Sequence, residues 1–270
     1  MAKYDLAPEI KQYYIAASDE TTRLTSSADG RLELIRTQEL LRRHLPTPPA
    51  QALDVGGGPG THARWLTEDG YRVDVIDPME HHIRQAKDAG LRARVGDARA
   101  LDADDDSYDV VLLLGPLYHL LEREERLLAL AEARRVLRPD GLLAAAAINR
   151  YASVFENTAN TSLARAHVQV IIEEILATGC LRQPKAFTTA YFHHPADLAA
   201  ELSAVGFARP LVYGIEGPGW GLLKAAEEHT GTSLIDSQMF EAALAAARMA
   251  EPYPELLAAS SHLLAVARRS

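Results

Sequence analysis

The run Asp54-Val55-Gly56-Gly57-Gly58-Pro59-Gly60 strips side-chain bulk from a stretch of backbone, which lets the main chain approach a ligand without Cβ obstruction. A helix opening directly after it adds free N–H groups and a partial positive end. Two classes of ligand use such a turn, and spacing separates them. The dinucleotide pattern G-x-G-x-x-G requires a third glycine where Thr61 stands. The pattern acidic-x-G-x-G-x-G is met by Asp54, Gly56, Gly58 and Gly60, with Gly57 between them. Alone, the turn indicates only close approach to a nucleoside-like ligand. Two carboxylates sharpen it. Asp77, 21 residues beyond Gly56, can accept hydrogen bonds from ribose hydroxyls, and Asp97 in Val95-Gly96-Asp97-Ala98 can accept from an adenine amino group. Either one by itself reads equally as a helix cap or a turn former; their joint spacing favours a ligand.

Such residues need a frame that brings strand ends together. Apolar runs at 52–55, 71–76, 91–95, 108–114 and 142–148 alternate with helical stretches at 62–69, 80–89 and 124–137. The alternation predicts an α/β fold with a doubly wound parallel sheet. The runs lack a period of two, as fits strands covered on both faces. Asp77 and Asp97 then fall at strand C-termini, where open α/β sheets bind ligands. Residues 1–45 read as a helical segment carrying Leu32, Leu34, Ile35, Leu40, Leu41 and Leu45, stopped by Pro46, Pro48 and Pro49. The main domain is expected over 46–270. Within it, 150–186 has helical spacing (Val168, Ile171, Ile172, Ile175, Leu176) and no strand, so an inserted helical cap is predicted. A helix at 195–205 and a strand at 208–213 resume the sheet. A second helical insertion is expected over 220–259, and 262–267 reads as a terminal edge strand.

The ordered set LDVGGGPGTHA, VIDPM, VGDARAL, YDVVLLLGPLYHL and RRVLRPDGLL resembles the class I S-adenosylmethionine-dependent methyltransferases, over about residues 50 to 150. The resemblance implies S-adenosylmethionine as cofactor, S-adenosylhomocysteine as product, and a seven-stranded Rossmann-like sheet of order 3-2-1-4-5-7-6 with the last strand antiparallel. It further implies that the Gly56–Gly60 turn faces the methionine moiety and that Asp77 binds ribose. Met79 would flank adenine, Asp97-Ala98 would cap it, and Leu114-Gly115 would line the methyl side. The segment from Tyr13-Tyr14 to Thr37 is similar to the cap of a bacterial small-molecule branch of this superfamily. On that reading Tyr14 forms part of the pocket wall, and Arg23 or Arg36 binds the methionine carboxylate, because a guanidinium matches carboxylate geometry. For each arginine an exposed helix charge is the competing reading.

Methyl transfer from a sulfonium is an in-line displacement on an activated carbon. The protein chiefly aligns the reactants and excludes water, and a base is needed only if the acceptor must lose a proton. His119, after the fourth strand, is a candidate base or a pocket-shaping residue. Tyr118 can orient the acceptor or simply pack. His193 and His194 precede a helix on the acceptor side, and His193 is the third candidate for catalysis. No Asp, Glu or Cys completes a metal set around this histidine pair, so no metal is expected. The expected reaction is N- or O-methylation of a small molecule. The alternative is an S-adenosylmethionine-binding protein of the same fold with other chemistry or a binding role only.

Bulk properties bound these readings. A net charge of −9 over 270 residues argues against nucleic acid as partner. No apolar run reaches the roughly 18 residues of a membrane span, and residues 1–5 lack the apolar stretch of a signal peptide, so a cytoplasmic protein is expected. The single cysteine, Cys180, excludes an internal disulfide framework. The excess of arginine over lysine, 23 to 5, fits a GC-rich bacterial gene. Monomer and homodimer both remain open.

Overall fold

The computed structural model describes residues 6–16, 20–182 and 188–270. Residues 1–5, on which the leader expectation rests, and 183–186, the end of the first expected insertion, lie outside the described residues. Two helices, α1 (Pro8–Ala16) and α2 (Ala28–Arg42), come first. Ser27 caps α2, its side chain accepting from the Gly30 N–H. Strands and helices then alternate as β1 (Gln51–Val55), α3 (Thr61–Glu68), β2 (Arg72–Asp77), α4 (Glu80–Asp88), β3 (Arg92–Val95) and β4 (Tyr108–Leu113). A 3₁₀ turn (Pro116–His119) leads to α5 (Arg123–Val136) and β5 (Leu137–Asn149). After β5 come α6 (Ala152–Ala159), α7 (Ala166–Thr178), β6 (Cys180–Leu181), β7 (Ala190–His193), α8 (Pro195–Ala204) and β8 (Phe207–Gly214). Then follow α9 (Trp220–Thr230), α10 (Gln238–Ala250), a 3₁₀ segment (Pro254–Ala259) and β9 (His262–Arg269).

Strands β3, β2, β1, β4 and β5 lie side by side in that order, all parallel. The final strand β9 runs antiparallel to β5 and to β8, placing it between them. Counting only these seven strands, the order is the predicted 3-2-1-4-5-7-6. The last strand is therefore interior rather than at an edge, which corrects the expectation for 262–267. Two further strands had no counterpart in the sequence reading. β7 pairs with the end of β5 through Ile148 and Asn149, and β6 pairs with β7. β6, with two residues, is below the length at which hydrophobic periodicity signals a strand.

Burial on both faces explains the continuous apolar runs. Consecutive strand residues point to opposite sides. In β4, Val110 and Leu112 pack with Leu40 and Leu41 of α2 and Leu66 of α3. Val111 and Leu113 pack with Leu130 and Ala133 of α5 and Leu198 and Leu202 of α8. Each fully buried leucine contributes about 1.5–3 kcal/mol, so no position of β4 is free to be polar except Asp109. Arg138-Pro139-Asp140-Gly141 was expected as a turn before β5. It lies within the strand as an irregularity: pairing jumps from Tyr108↔Leu137 to Val110↔Leu142, and Asp140 has φ 61°. Pro139 has no N–H to donate, so the ladder steps around it.

A third apolar cluster is separate from the two that sandwich the sheet. It gathers Leu32 of α2, Ile148 of β5, Ala152 of α6, Ile172 and Ile175 of α7, Phe192 of β7, Trp220 of α9 and Phe240 of α10. Among the described residues no helix is long and apolar enough to cross a membrane.

Candidate active site

The glycine turn is shaped by what touches it. Gly56 has φ +70°, and a Cβ there would lie 2.8 Å from the Pro116 ring, so both backbone conformation and space demand glycine. The Gly56 and Gly57 amides donate to the Ile76 carbonyl at 2.7 and 3.3 Å, and the Gly58 amide donates to Asp77 Oδ2 at 3.0 Å. Asp77 Oδ1 accepts from the Met79 amide at 2.8 Å and is 3.0 Å from His82 Nδ1. One carboxylate at the end of β2 thus ties the glycine turn to the start of α4. Asp54 lies beneath the turn, with Oδ2 buried and without a hydrogen-bond partner. Burial, reinforced by the Asp77 charge, pushes its carboxyl up to about 7. Asp97 accepts from the Arg99 amide at 2.8 Å and from its guanidinium at 2.9 and 2.7 Å; Arg99 also reaches Glu125.

Opposite the turn, the 3₁₀ segment after β4 presents Tyr118 and His119. The Tyr14 hydroxyl of α1 lies 2.6 Å from His119 Nε2. Burial lowers the His119 imidazole to about 4 and raises both Tyr14 and Tyr118 well above the usual phenol range. Neutral imidazole and neutral phenol thus share one hydrogen bond, whose direction follows the His119 tautomer. His62 of α3 is likewise held down to about 4 by burial. With its Nδ1 3.2 Å from the Trp65 indole N–H, it accepts there and carries its proton on Nε2.

Five further residues form a charged network. Arg23 grips Glu33 of α2 with two N–H groups, at 2.9 and 3.1 Å, and reaches Glu20 at 3.2 Å. Glu33 lies 3.8 Å from His262 Nδ1 at the start of β9. Glu216, just past β8, lies 2.5 Å from the same nitrogen, and it accepts from Ser260 Oγ at 2.8 Å and from the His262 amide at 2.9 Å. Burial alone would raise Glu33 and lower His262. The neighbouring opposite charges overcome it, holding Glu33 at about 2 and His262 at about 9. Donor atoms of Glu33, Glu216 and His262 lie within 4.8 Å of one another, which is metal-site spacing. The Arg23 guanidinium occupies that place electrostatically, and Glu216 is already satisfied by hydroxyl and amide donors.

These groups surround two adjoining spaces. A cavity of about 210 Å³ is lined by Tyr14, Arg23, Asp54, Gly56, Gly57, Gly58, Asp77, Met79, Asp97, Ala98, Leu114, Gly115, Tyr118 and His119, with His62, His82 and Thr61 also in its wall. A larger chamber of about 880 Å³ lies beside it, walled by Val168, Ile171, Ile172 and Ile175 of α7, Phe192, and Trp220 and Lys224 of α9. Tyr13, Arg23, Glu33, Ile148 and His262 line both. Three residues singled out from sequence lie elsewhere. Arg36 is fully buried and bridges Glu39, Glu251 and the Ile215 carbonyl. Gly60 is the N-cap residue of α3, facing Leu91. His193 is fully buried beside Glu201, which also holds Arg126. The sequence reading did not single out Glu33, His62, His82, Glu216 or His262. A usable signal existed for the last: an antiparallel final strand begins at the edge where its parallel neighbours end.

A family model described as a methyltransferase domain matches residues 52–141. The chain is 36% identical over 109 residues to a malonyl-[acyl-carrier protein] O-methyltransferase of Methylococcus capsulatus, covering 38% of this chain and 38% of that one. It is 33% identical over 135 residues to a 27-O-demethylrifamycin SV methyltransferase of Amycolatopsis mediterranei, covering 47% of this chain and 44% of the relative. The chain thus spans less than half the length of these curated relatives. Among solved structures, a methyltransferase of Thermotoga maritima described as a possible histamine N-methyltransferase superposes with a TM-score of 0.61 at 15% identity, covering 97% of this chain and 99% of that one. Residues 52–141 thus match a methyltransferase domain, and the chain as a whole shares the fold of the Thermotoga maritima structure.

Proposed function

We propose that the chain binds S-adenosylmethionine in the smaller cavity and methylates a small-molecule oxygen or nitrogen held in the larger chamber. The observation that carries this reading is the wall shared by the two spaces, which brings a donor seat and an acceptor space into contact. The donor set suits the cofactor. The carboxylate of Asp77 suits ribose hydroxyls, Met79 and Ala98 supply apolar wall for adenine, and the unpartnered Asp54 Oδ2 offers an acceptor to a cationic group. Arg23 keeps N–H capacity beyond its bonds to Glu33 and Glu20 and is the residue we assign to the methionine carboxylate. When bound, the cofactor supplies an electrophilic methyl carbon whose bond to sulfur breaks as the acceptor lone pair forms the new bond. The chain's residues orient the acceptor and exclude water. His119 acts in this reading through its hydrogen bond with Tyr14, fixing α1 over the cavity.

The chamber walls come largely from α6, α7 and α9, in the stretches 150–186 and 220–259 that we read as a substrate-selecting cap. The test is an S-adenosylhomocysteine-release assay against a panel of small acceptors, beside calorimetric titration with S-adenosylmethionine. Cofactor binding with release of S-adenosylhomocysteine is the expected result. Binding without release from any acceptor would favour a binding role. Substitutions in α7 and α9 should change acceptor turnover and leave cofactor affinity unaltered; unchanged turnover after remodelling both would remove the cap assignment.

A further inference from the structure

We infer that His262 is the acceptor-binding residue and that it selects an ionised oxygen, a carboxylate, phenolate or enolate, over an amine. This inference rests on the proposed division of the two cavities into donor seat and acceptor chamber.

The argument begins with position. β9 runs against β5 in the register Ile148↔His262, so the first residue of β9 stands at the edge where the parallel strands end, and His262 lines both spaces. Its ring has two nitrogens and only one is engaged. Nδ1 faces Glu216 at 2.5 Å and Glu33 at 3.8 Å; among the described residues no hydrogen bond involves Nε2. The side chain is 22% exposed, enough for that nitrogen to meet a ligand.

Charge decides what the free nitrogen does. Among the described residues the charges acting on the ring come from Glu33 of α2, Glu216 after β8 and Arg23 from the segment before α2, and His62 of α3 acts on Glu33. Lys224 and Glu227 of α9 stand on the chamber wall; Lys224 pairs with Glu156 at 3.0 Å and lies 3.7 Å from Asp29. Glu227 accepts from the amides of Ala28 and Leu234. Two carboxylates against one imidazole keep both ring nitrogens protonated, so Nε2 is a charged donor and cannot serve as a base. The chamber wall mixes the apolar face of α7 with Arg165, His167, Lys224, Glu156, Glu227 and Glu228; a charged N–H on the wall shared by the two spaces forms its strongest bond with an anionic oxygen and repels an ammonium. An acceptor already ionised at its oxygen has no proton to lose, so its methylation needs no base.

The test uses two probes that share an apolar ring system suited to the isoleucine and tryptophan wall: 2-naphthoate and 2-naphthylmethylamine, titrated calorimetrically into S-adenosylhomocysteine-saturated protein. The expected result is naphthoate binding at least about 10-fold tighter than the amine. In His262→Gln that preference should collapse, while S-adenosylmethionine affinity stays within about threefold. In the unaltered protein naphthoate binding should fade as pH rises through 9, and in Glu216→Gln the fade should move to lower pH. Equal binding of the two probes, no binding of either, or an unaltered preference in His262→Gln overturns the inference. Should His262→Gln fail to fold, the pH profiles of the unaltered protein and Glu216→Gln decide it: a flat profile in both overturns it. Because the probes need not be methylated, failure of the methyl-transfer reading would appear separately, as absent S-adenosylhomocysteine release.

Discussion

His193 and His262 each sit in a network of carboxylate and guanidinium, and the contrast between them shows how placement converts the same residue types to opposite ends. His193 shares the single carboxylate of Glu201 with Arg126, whose guanidinium also stacks 3.6 Å above the Tyr191 ring and donates to the Leu120 and Leu121 carbonyls. With one carboxylate already matched by an arginine, burial prevails and the His193 imidazole is lowered. His262 faces two carboxylates and is raised to about 9. The first network fastens α5, α8 and β7 together away from either cavity; the second forms part of the wall between the cavities. A histidine beside a carboxylate therefore marks a site only when the balance of charge and the access to a cavity both favour it.

The sharpest way to break the contrast is to remove the carboxylate common to the first network. Glu201→Ala leaves Arg126 and His193 buried without their carboxylate and should cost about 3–5 kcal/mol, read as a lower denaturant midpoint. A change below 1 kcal/mol would mean that the network contributes no more than a surface pair. Cofactor binding should depend on neither histidine but on Asp77. Asp77→Asn is expected to weaken S-adenosylmethionine binding about 10- to 100-fold, from the loss of roughly 1.5–3 kcal/mol for a hydrogen bond to a charged group, and calorimetry at constant pH measures it.

The two histidines should also act on opposite limbs of the pH–stability curve. For His262 the folded value lies above the unfolded 6.5, so its contribution is complete below 6.5 and is lost as pH climbs through 9. For His193 the folded value is depressed, so stability is lost as pH falls below 6.5. A rise of that size in the His262 imidazole makes the alkaline limb on the order of 1–3 kcal/mol. Urea titrations from pH 5 to 10 on the parent and on His262→Gln should show the alkaline limb vanish in the variant alone. The smallest effect is expected where both exposure and distance are greatest. The Arg84–Glu80 pair, 3.8 Å apart on the surface of α4, should change stability by less than about 0.5 kcal/mol in Arg84→Ala, and that variant sets the zero of the comparison.

Much of this arrangement was readable from residue order. Period and composition predicted the seven strands, and the spacing of Asp54, Gly56, Gly58, Asp77 and Asp97 marked residues that now line one cavity, because that seat is built from consecutive strand ends. The acceptor side was less readable because it is assembled from residues far apart in the chain. Glu33, Glu216 and His262 meet only after β9 folds back between β5 and β8. Arg36 looked like a ligand-binding guanidinium by its place in α2, yet Glu251, 215 residues away, completes its ion pair. His193 drew attention as part of a histidine pair, a pattern that does not report which carboxylate awaits it. β6, with two residues, is too short for periodicity to register, and Pro139 and Asp140 signal a turn with equal force whether the strand ends there or steps around them.

The third apolar cluster, which backs the larger chamber, has no member from β1 to β4. Side chains that do not touch contribute nearly independently to stability. A change at Ile172 or Trp220 is thus an inherited alteration confined to one compartment, leaving the packing beneath the glycine turn as it was. Substitutions around the larger chamber can therefore accumulate one at a time, each tolerated on its own merits, while the packing beneath the glycine turn is left intact.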